Sequence, residues 1–207
     1  PSTKTIYRYI KEGLLVIKPI DLPKMVSIRK RSKQVIKTNK KTLGQSIEER
    51  PECINDRSEF GHWEIDLVLG KKTKGEAVVL TLVERQTRYA LGVKLEDKQS
   101  HTINSAVKQL TSQYPIASIT ADNGSEFSLL SDLEAVDVYF AHPYSSHERG
   151  TNENFNGLLR EYIPKGNSFN SLTSEELDNY ITAINERPRR LLQYQSSKFL
   201  FGIAQIA

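Results

Sequence analysis

The 207-residue sequence predicts an α/β domain: a mixed five-stranded sheet flanked by helices, preceded by a basic linker and a short helical segment. Three observations carry that expectation. From Phe60 onward three strand-like segments follow one another with only short turns between them. Two more short apolar runs then alternate with helical patterns, and most of the last third of the chain has helical periodicity. A hydrophobic content of 38% with no low-complexity tract fits a folded chain that can bury a sizeable core.

Residues 2–16, STKTIYRYIKEGLLV, place Ile6, Tyr9, Ile10 and Leu14 close to helical spacing, with Ser2 as N-cap and Gly13 as stop. So short an amphipathic helix is not stable alone and is expected to pack on a segment upstream. The chain opens on Pro1, not Met, which fits a missing N-terminal region. Residues 18–50 hold Pro19, Pro23 and many Lys, Arg, Ser and Thr with little periodicity, and are expected to be a linker with room for a short strand or helix. HWEIDLVLG (62–70) alternates as a strand, VVLTLVE (78–84) is continuously apolar, and RYALGVKL (88–95) alternates again. A helix over 101–113 with Ile103, Val107 and Leu110 on one face, a strand SITA (118–121), a helix near 125–133 and a strand VDVYF (136–140) follow. Helices over 150–162 and 173–186 come next, the second stopped by Arg187-Pro188. This succession is the order of a ribonuclease H-like domain.

Charge is divided unevenly. Residues 1–50 hold 13 Lys and Arg against 4 Asp and Glu, a net of +9, and the remaining 157 hold 16 against 21, a net of −5. A basic arm on a mildly acidic body suits a polyanion partner, because each neutralised phosphate releases counterions; a solvated linker explains the charge equally well. No apolar run approaches the roughly 18 to 20 residues of a membrane helix and no signal peptide is visible, so a cytoplasmic protein is expected. The single Cys53 can form neither an internal disulfide nor a zinc knuckle.

Three carboxylates stand out. Asp66 lies in the middle of a strand that otherwise belongs in a core, where a carboxylate loses hydration and needs compensation. Asp122 ends the SITA strand and precedes Asn123-Gly124, a place for a ligand or for an ordinary Asx-turn. Glu153, at a helix start, could cap that helix. In the expected sheet the first and fourth strands are central neighbours, so Asp66 and Asp122 can face each other while the Glu153 helix crosses above them. Carboxylates that close repel unless a cation sits among them, and hard oxygen donors suit Mg²⁺ or Mn²⁺, two of which about 3.5 to 4 Å apart can drive phosphoryl transfer. Glu153, Asn156, Gly157 and Arg160 form one stripe at i, i+3, i+4 and i+7, and capping then passes to Thr151 or Asn152.

FGHWEIDLVLG, TADNGSEF, YFAHPYSSHERGTNENFNGLLREYIPKG and the closing NERPRR resemble insertion sequence 30 family transposases of the DDE type, over most of residues 42–207. PSTKTIYRYIKEG is similar to the end of that family's helix-turn-helix region. The resemblance implies three regions: 1–17 as the end of a DNA-binding region, 18–55 as basic linker, and 56–207 as a retroviral-integrase-like catalytic core. It implies a metal-dependent transposase, with two Mg²⁺ or Mn²⁺ ions, that nicks and joins DNA at terminal inverted repeats. Asp66, Asp122 and Glu153 correspond to the family's first, second and third catalytic carboxylates and metal ligands, and Arg160 to a basic position that holds DNA. The 30 residues between Asp122 and Glu153 make a slightly short interval for the family. His142 and His147-Glu148 stand where relatives have an acidic residue, an aromatic and Gln, and SSKFLFGIAQIA matches the usual ending only loosely.

Lys30, Arg31 and Lys33 of the arm, with Asn123, Arg149, Asn156, Arg160 and Lys165, are the expected contacts to double-stranded DNA, the element ends and the target. Such contacts track the backbone and add affinity more than sequence choice. Tyr144 could stack on an unpaired base or simply pack, and His62 and Trp63 are expected to pack beside the first strand. The expected setting is a bacterial, nucleoid-associated dimer or larger assembly. Two other functions fit the same residues: a nuclease of this fold without strand transfer, and a DNA-binding regulator with an idle site.

Overall fold

A run with no polar alternation has to be covered on both sides, and VVLTLVE is: every residue of Val78–Glu84 is buried. In a computed structural model of the chain, which describes residues 2–22, 43–134, 136–143 and 145–206, this strand lies inside a six-stranded sheet. The strands are β1 (Gln45–Ser46), β2 (His62–Leu69), β3 (Val78–Glu84), β4 (Ala90–Leu95), β5 (Ser118–Ala121) and β6 (Asp137–Phe140), in the spatial order β1-β6-β5-β2-β3-β4. β2, β3 and β4 form the expected antiparallel meander, and β5, β6 and β1 continue the sheet from β2 in parallel. Parallel neighbours need crossovers. Helix α3 (Ser100–Gln113) lies on the connection from β4 to β5.

The remaining helices are α1 (Thr3–Lys11), α2 (Glu52–Asp56), α4 (Gly150–Tyr162), α5 (Ser174–Glu186) and α6 (Ser197–Ala204). Side chains alternate across a sheet, and the two faces carry separate cores. Trp63, Ile65, Leu80 and Leu82 pack with Ile103, Val107 and Leu110 of α3, whereas Val68, Val79 and Val83 pack with Phe155 and Leu159 of α4 and Leu177, Ile181 and Ile184 of α5. The second face also carries Glu64 and Asp66, two positions apart on β2.

The structure departs from the sequence expectation, or adds to it, at several elements. Gln45–Ser46, inside the stretch read as linker, pairs with Tyr139–Phe140 and adds a sixth strand to the expected five. Residues 125–133 form two single 3-10 turns, Ser125–Phe127 and Leu130–Asp132, instead of one α-helix. Phe127 and Leu130 are three apart, and side chains at that spacing align in 3-10 geometry, so both reach the core from single turns. α1 begins and stops as expected, with Ser2 accepting from the Thr5 N–H and Gly13 at φ +73° just past the helix, but Leu14, expected on its apolar face, is left outside and exposed. The loosely matched C-terminal stretch forms α6, whose Phe201 stacks on Tyr89 at 4.2 Å and meets Phe60 and Trp63 edge-on at 5.3 and 5.8 Å.

The chain divides into two compact units, Pro1–Thr38 and Asn39–Ala207. Lys30, Arg31 and Lys33, Tyr144 and the His147 side chain lie outside the described residues. None of the described helices is long and apolar enough to cross a membrane. Because Phe201 joins three aromatic rings and is nearly fully buried, Phe201→Ala is expected to cost about 3 to 5 kcal/mol, read as a lower denaturation midpoint in a urea titration.

Candidate active site

The parallel register His62↔Ser118 and Glu64↔Thr120, continued by two residues, brings Asp66 of β2 beside Asp122 just past β5. The Asp122 Oδ1 accepts the Gly124 N–H at 2.9 Å, so the Asx-turn is present, and it leaves Oδ2 facing the sheet neighbour. A Cβ on Gly124 would fall 2.8 Å from Asp122 Oδ1 and 2.7 Å from the Glu126 carboxyl carbon, so a side chain there would displace the Glu126 carboxylate and press on the oxygen that closes the turn. Asn123 turns the other way: its Oδ1 accepts the Leu43 N–H at 3.0 Å.

Between the two aspartates sits Arg149. Its Nη1 lies 3.2 Å from Asp66 Oδ1 and its Nη2 3.3 Å from Asp122 Oδ2, and Nη1 also donates to the Ile65 carbonyl at 3.3 Å. The second oxygen of Asp66 accepts from Asn156 Nδ2 at 2.8 Å, and the Thr81 hydroxyl, opposite Asp66 on β3, donates toward Asn156 Oδ1 at 3.2 Å. Burial pushes the Asp66 carboxyl above the usual aspartate range, against the pull of the Arg149 charge and hydrogen bond. Both aspartates thus offer hard oxygens to one cation, a role the guanidinium fills and a divalent ion could take over. Asp66, Arg149, Glu153, Asn156, Gly157, Arg160 and Lys165 line one groove of about 460 Å³.

Glu153 joins that groove from an exposed position on α4. Among the described residues no three His, Cys, Asp or Glu side chains come close enough together to share an ion. Of the three expected carboxylates, two are therefore brought together and the third stands on the groove wall.

Neither Thr151 nor Asn152 caps α4 with its side chain. That role belongs to Glu64, fully buried on β2, whose Oε2 accepts the Asn152 N–H at 2.9 Å while Oε1 pairs with Arg85. Arg85 in turn donates through Nε to the Ile54 carbonyl of α2 at 3.1 Å. The Thr151 hydroxyl accepts from Arg88 Nη1 at 2.6 Å and Arg57 Nη2 at 3.5 Å. Burial, with the neighbouring Arg57 charge, pulls Arg88 down to about 10. Sequence reasoning passed over Glu64, Arg85, Arg57 and Arg88. One signal was available: Glu64 interrupts the same apolar strand as Asp66 and shares its face, so it too needed a buried partner.

Residues 56–146 match the integrase core domain family. The chain is 63% identical over its whole length to the probable transposase for insertion-like sequence element IS1161 of Streptococcus salivarius, of which it covers 60%. It is 35% identical over 94% of its length to the transposase InsI for insertion sequence element IS30A of Escherichia coli strain K12, covering 53% of that protein. The chain is thus similar over nearly its whole length to transposases of insertion sequence elements. The transposase for insertion sequence element IS4351 of Bacteroides fragilis is 35% identical over 93% of the chain, which covers 61% of it. Thus the chain spans about half to three-fifths of the length of these curated relatives. In structure, the catalytic core domain of BIV integrase superposes with a TM-score of 0.54 at 15% identity, covering 70% of this chain and 96% of that one. The ribonuclease H-like fold expected from the element order is therefore present.

The other residues singled out in the sequence have definite places. Arg160 donates to the Leu69 carbonyl at 2.6 Å and the Ile163 carbonyl at 3.4 Å, lies 5.6 Å over the Phe169 ring, and has its pKa lowered by burial. Lys165 is exposed on the groove rim. Trp63 is core, with its indole N–H on the Pro115 carbonyl, and His62 Nδ1 sits 2.7 Å from the Ser118 hydroxyl. His142 binds Glu148 twice, Nδ1 to Oε1 and backbone N–H to Oε2, each at 2.8 Å, and its Nε2 lies 3.3 Å from Glu48. Both carboxylates, Glu148 first, raise the His142 pKa. A raised folded-state pKa gives stabilisation that is complete below the unfolded value of about 6.5 and fades as pH rises through the folded one. An NMR titration of the His142 imidazole is expected to show a midpoint above about 6.5, and Glu148→Gln to lower it.

Proposed function

We propose that this chain is the catalytic part of a transposase that nicks and joins DNA at the terminal inverted repeats of an insertion sequence, with divalent metal bound by Asp66, Asp122 and Glu153. The observation that carries the reading is the pair of aspartates on adjacent parallel strands, sharing one cation at the head of a groove that Glu153, Arg160 and Lys165 also line. The similarity to the transposases of two insertion sequence elements supports it, as does the integrase core match over 56–146.

Two Mg²⁺ or Mn²⁺ ions would supply Lewis acidity to the reacting phosphate. The chain's own residues do the positioning. Asn156 fixes one Asp66 oxygen through its 2.8 Å bond and so sets where the other points. Arg149, Arg160 and Lys165 offer cationic groups to backbone phosphates, and Asn123 stands beside Asp122 at the strand end. The first step is hydrolysis of a phosphodiester, which frees a 3′-hydroxyl. In the second that hydroxyl attacks another phosphodiester, forming one P–O bond as the other breaks and needing no covalent link to protein.

The proposal extends to the rest of the chain. Residues 1–17 would close a DNA-binding region, 18–55 with Lys30, Arg31 and Lys33 would follow the duplex backbone, and 56–207 would carry the chemistry. Work on two DNA ends calls for a dimer or larger assembly on the bacterial nucleoid. A labelled terminal-repeat duplex incubated with the full chain and Mg²⁺ is expected to yield nicked strands and joined products. Nicks without joined products would leave a nuclease. Asp122→Asn is expected to abolish both products, a loss of at least about a hundredfold as for other residues that stabilise the transition state, with duplex binding by gel shift largely retained. Normal cleavage by that variant would overturn the metal site.

A further inference from the structure

Arg149 is the one residue of the groove that touches both aspartates. Its side chain is only 12% exposed, each arm of its planar fork takes a different carboxylate, and its Nε is buried with no hydrogen-bond partner among the described residues. Two facing carboxylates without it would repel each other. The guanidinium therefore does for the resting pair what a bound metal ion would do, and the two cations compete for the same oxygens.

Its placement also allows it to leave. Arg149 closes a 3-10 turn, Ser146–Arg149, and is followed by Gly150, around which a Cβ would meet nothing within 4 Å. The groove it would swing into continues past Gly157 toward the cations of Arg160 and Lys165. A guanidinium exchanges a carboxylate for a phosphate readily, since both match its fork in two parallel hydrogen bonds.

We propose that Arg149 is an exchangeable cation: it bridges Asp66 and Asp122 in the absence of DNA and moves onto a backbone phosphate of bound DNA, freeing both carboxylates for divalent metal. Metal and DNA then strengthen each other's binding, because each removes a competitor of the other and such coupling is reciprocal. The inference rests on the metal-dependent DNA chemistry proposed above and adds a residue that makes ion uptake conditional on substrate.

Mn²⁺ uptake by the full chain, read from the free-ion electron paramagnetic resonance signal, tests it with and without a short duplex whose own uptake is subtracted. The duplex is expected to tighten Mn²⁺ binding on the order of tenfold in the unaltered chain. Arg149→Gln without DNA is expected to show much of that tightening already, and to gain less from the duplex than the unaltered chain does. Arg149→Lys keeps the charge as a single point that cannot bridge both carboxylates, and is expected to fall between the two, which serves if the Gln variant does not fold. DNA-free binding that is no tighter in either variant than in the unaltered chain overturns the exchange and leaves the metal site standing. No Mn²⁺ uptake by any form, even with DNA, removes the metal site and this inference together.

Discussion

One buried charge holds the arrangement together. Glu64 is fully buried in the centre of the sheet, where an isolated carboxylate would be costly, and it is tolerated because Arg85 and the first turn of α4 answer it together. Through Arg85 it reaches the Ile54 carbonyl of α2, and through the Asn152 N–H it fixes where α4 starts. The start of α4 sets Arg149 immediately before it and Glu153, Asn156 and Arg160 along it. Thr151, gripped by Arg88 and Arg57, pins the same turn from the flank. The groove is therefore built outward from a residue that does not line it.

The groove's carboxylates differ in how they are held. Asp66 and Asp122 come from neighbouring parallel strands, so their spacing follows from a backbone ladder about 4.8 Å wide and hardly depends on side-chain choice. Glu153 comes from a helix that packs on that sheet through Phe155 and Leu159. Two jaws are fixed and the third belongs to a separate layer. The Asp122 case also shows that a turn and a ligand role are compatible: one oxygen closes the Asx-turn, the other faces Arg149.

Much of this was legible in the sequence because the signals were local. Period-two alternation and continuous apolar runs marked five strands, and a carboxylate between Ile65 and Leu67 marked the site, since burial of that group demands an answer. What the sequence did not disclose depends on partners far away. Gln45–Ser46 is a strand only because β6 offers an edge, and α6 is anchored only because Phe60, Trp63 and Tyr89 leave a place for Phe201. The bridging role of Arg149 needs Asp66 and Asp122, 83 and 27 positions earlier, so no spacing rule within α4 could reveal it. Asn156, aligned with Glu153 by helical spacing and expected to contact DNA, holds Asp66 through its amide, a bond that helical spacing alone could not show.

The anchoring of Leu43 has a mechanical side. At 43–46 the Asn123 side chain holds the Leu43 N–H, and Gln45–Ser46 pair with the edge strand β6. Asn123 directly follows Asp122. A load carried by Leu43 is thus delivered to the sheet one residue from Asp122, so strain at this edge is felt first where the two carboxylates face each other.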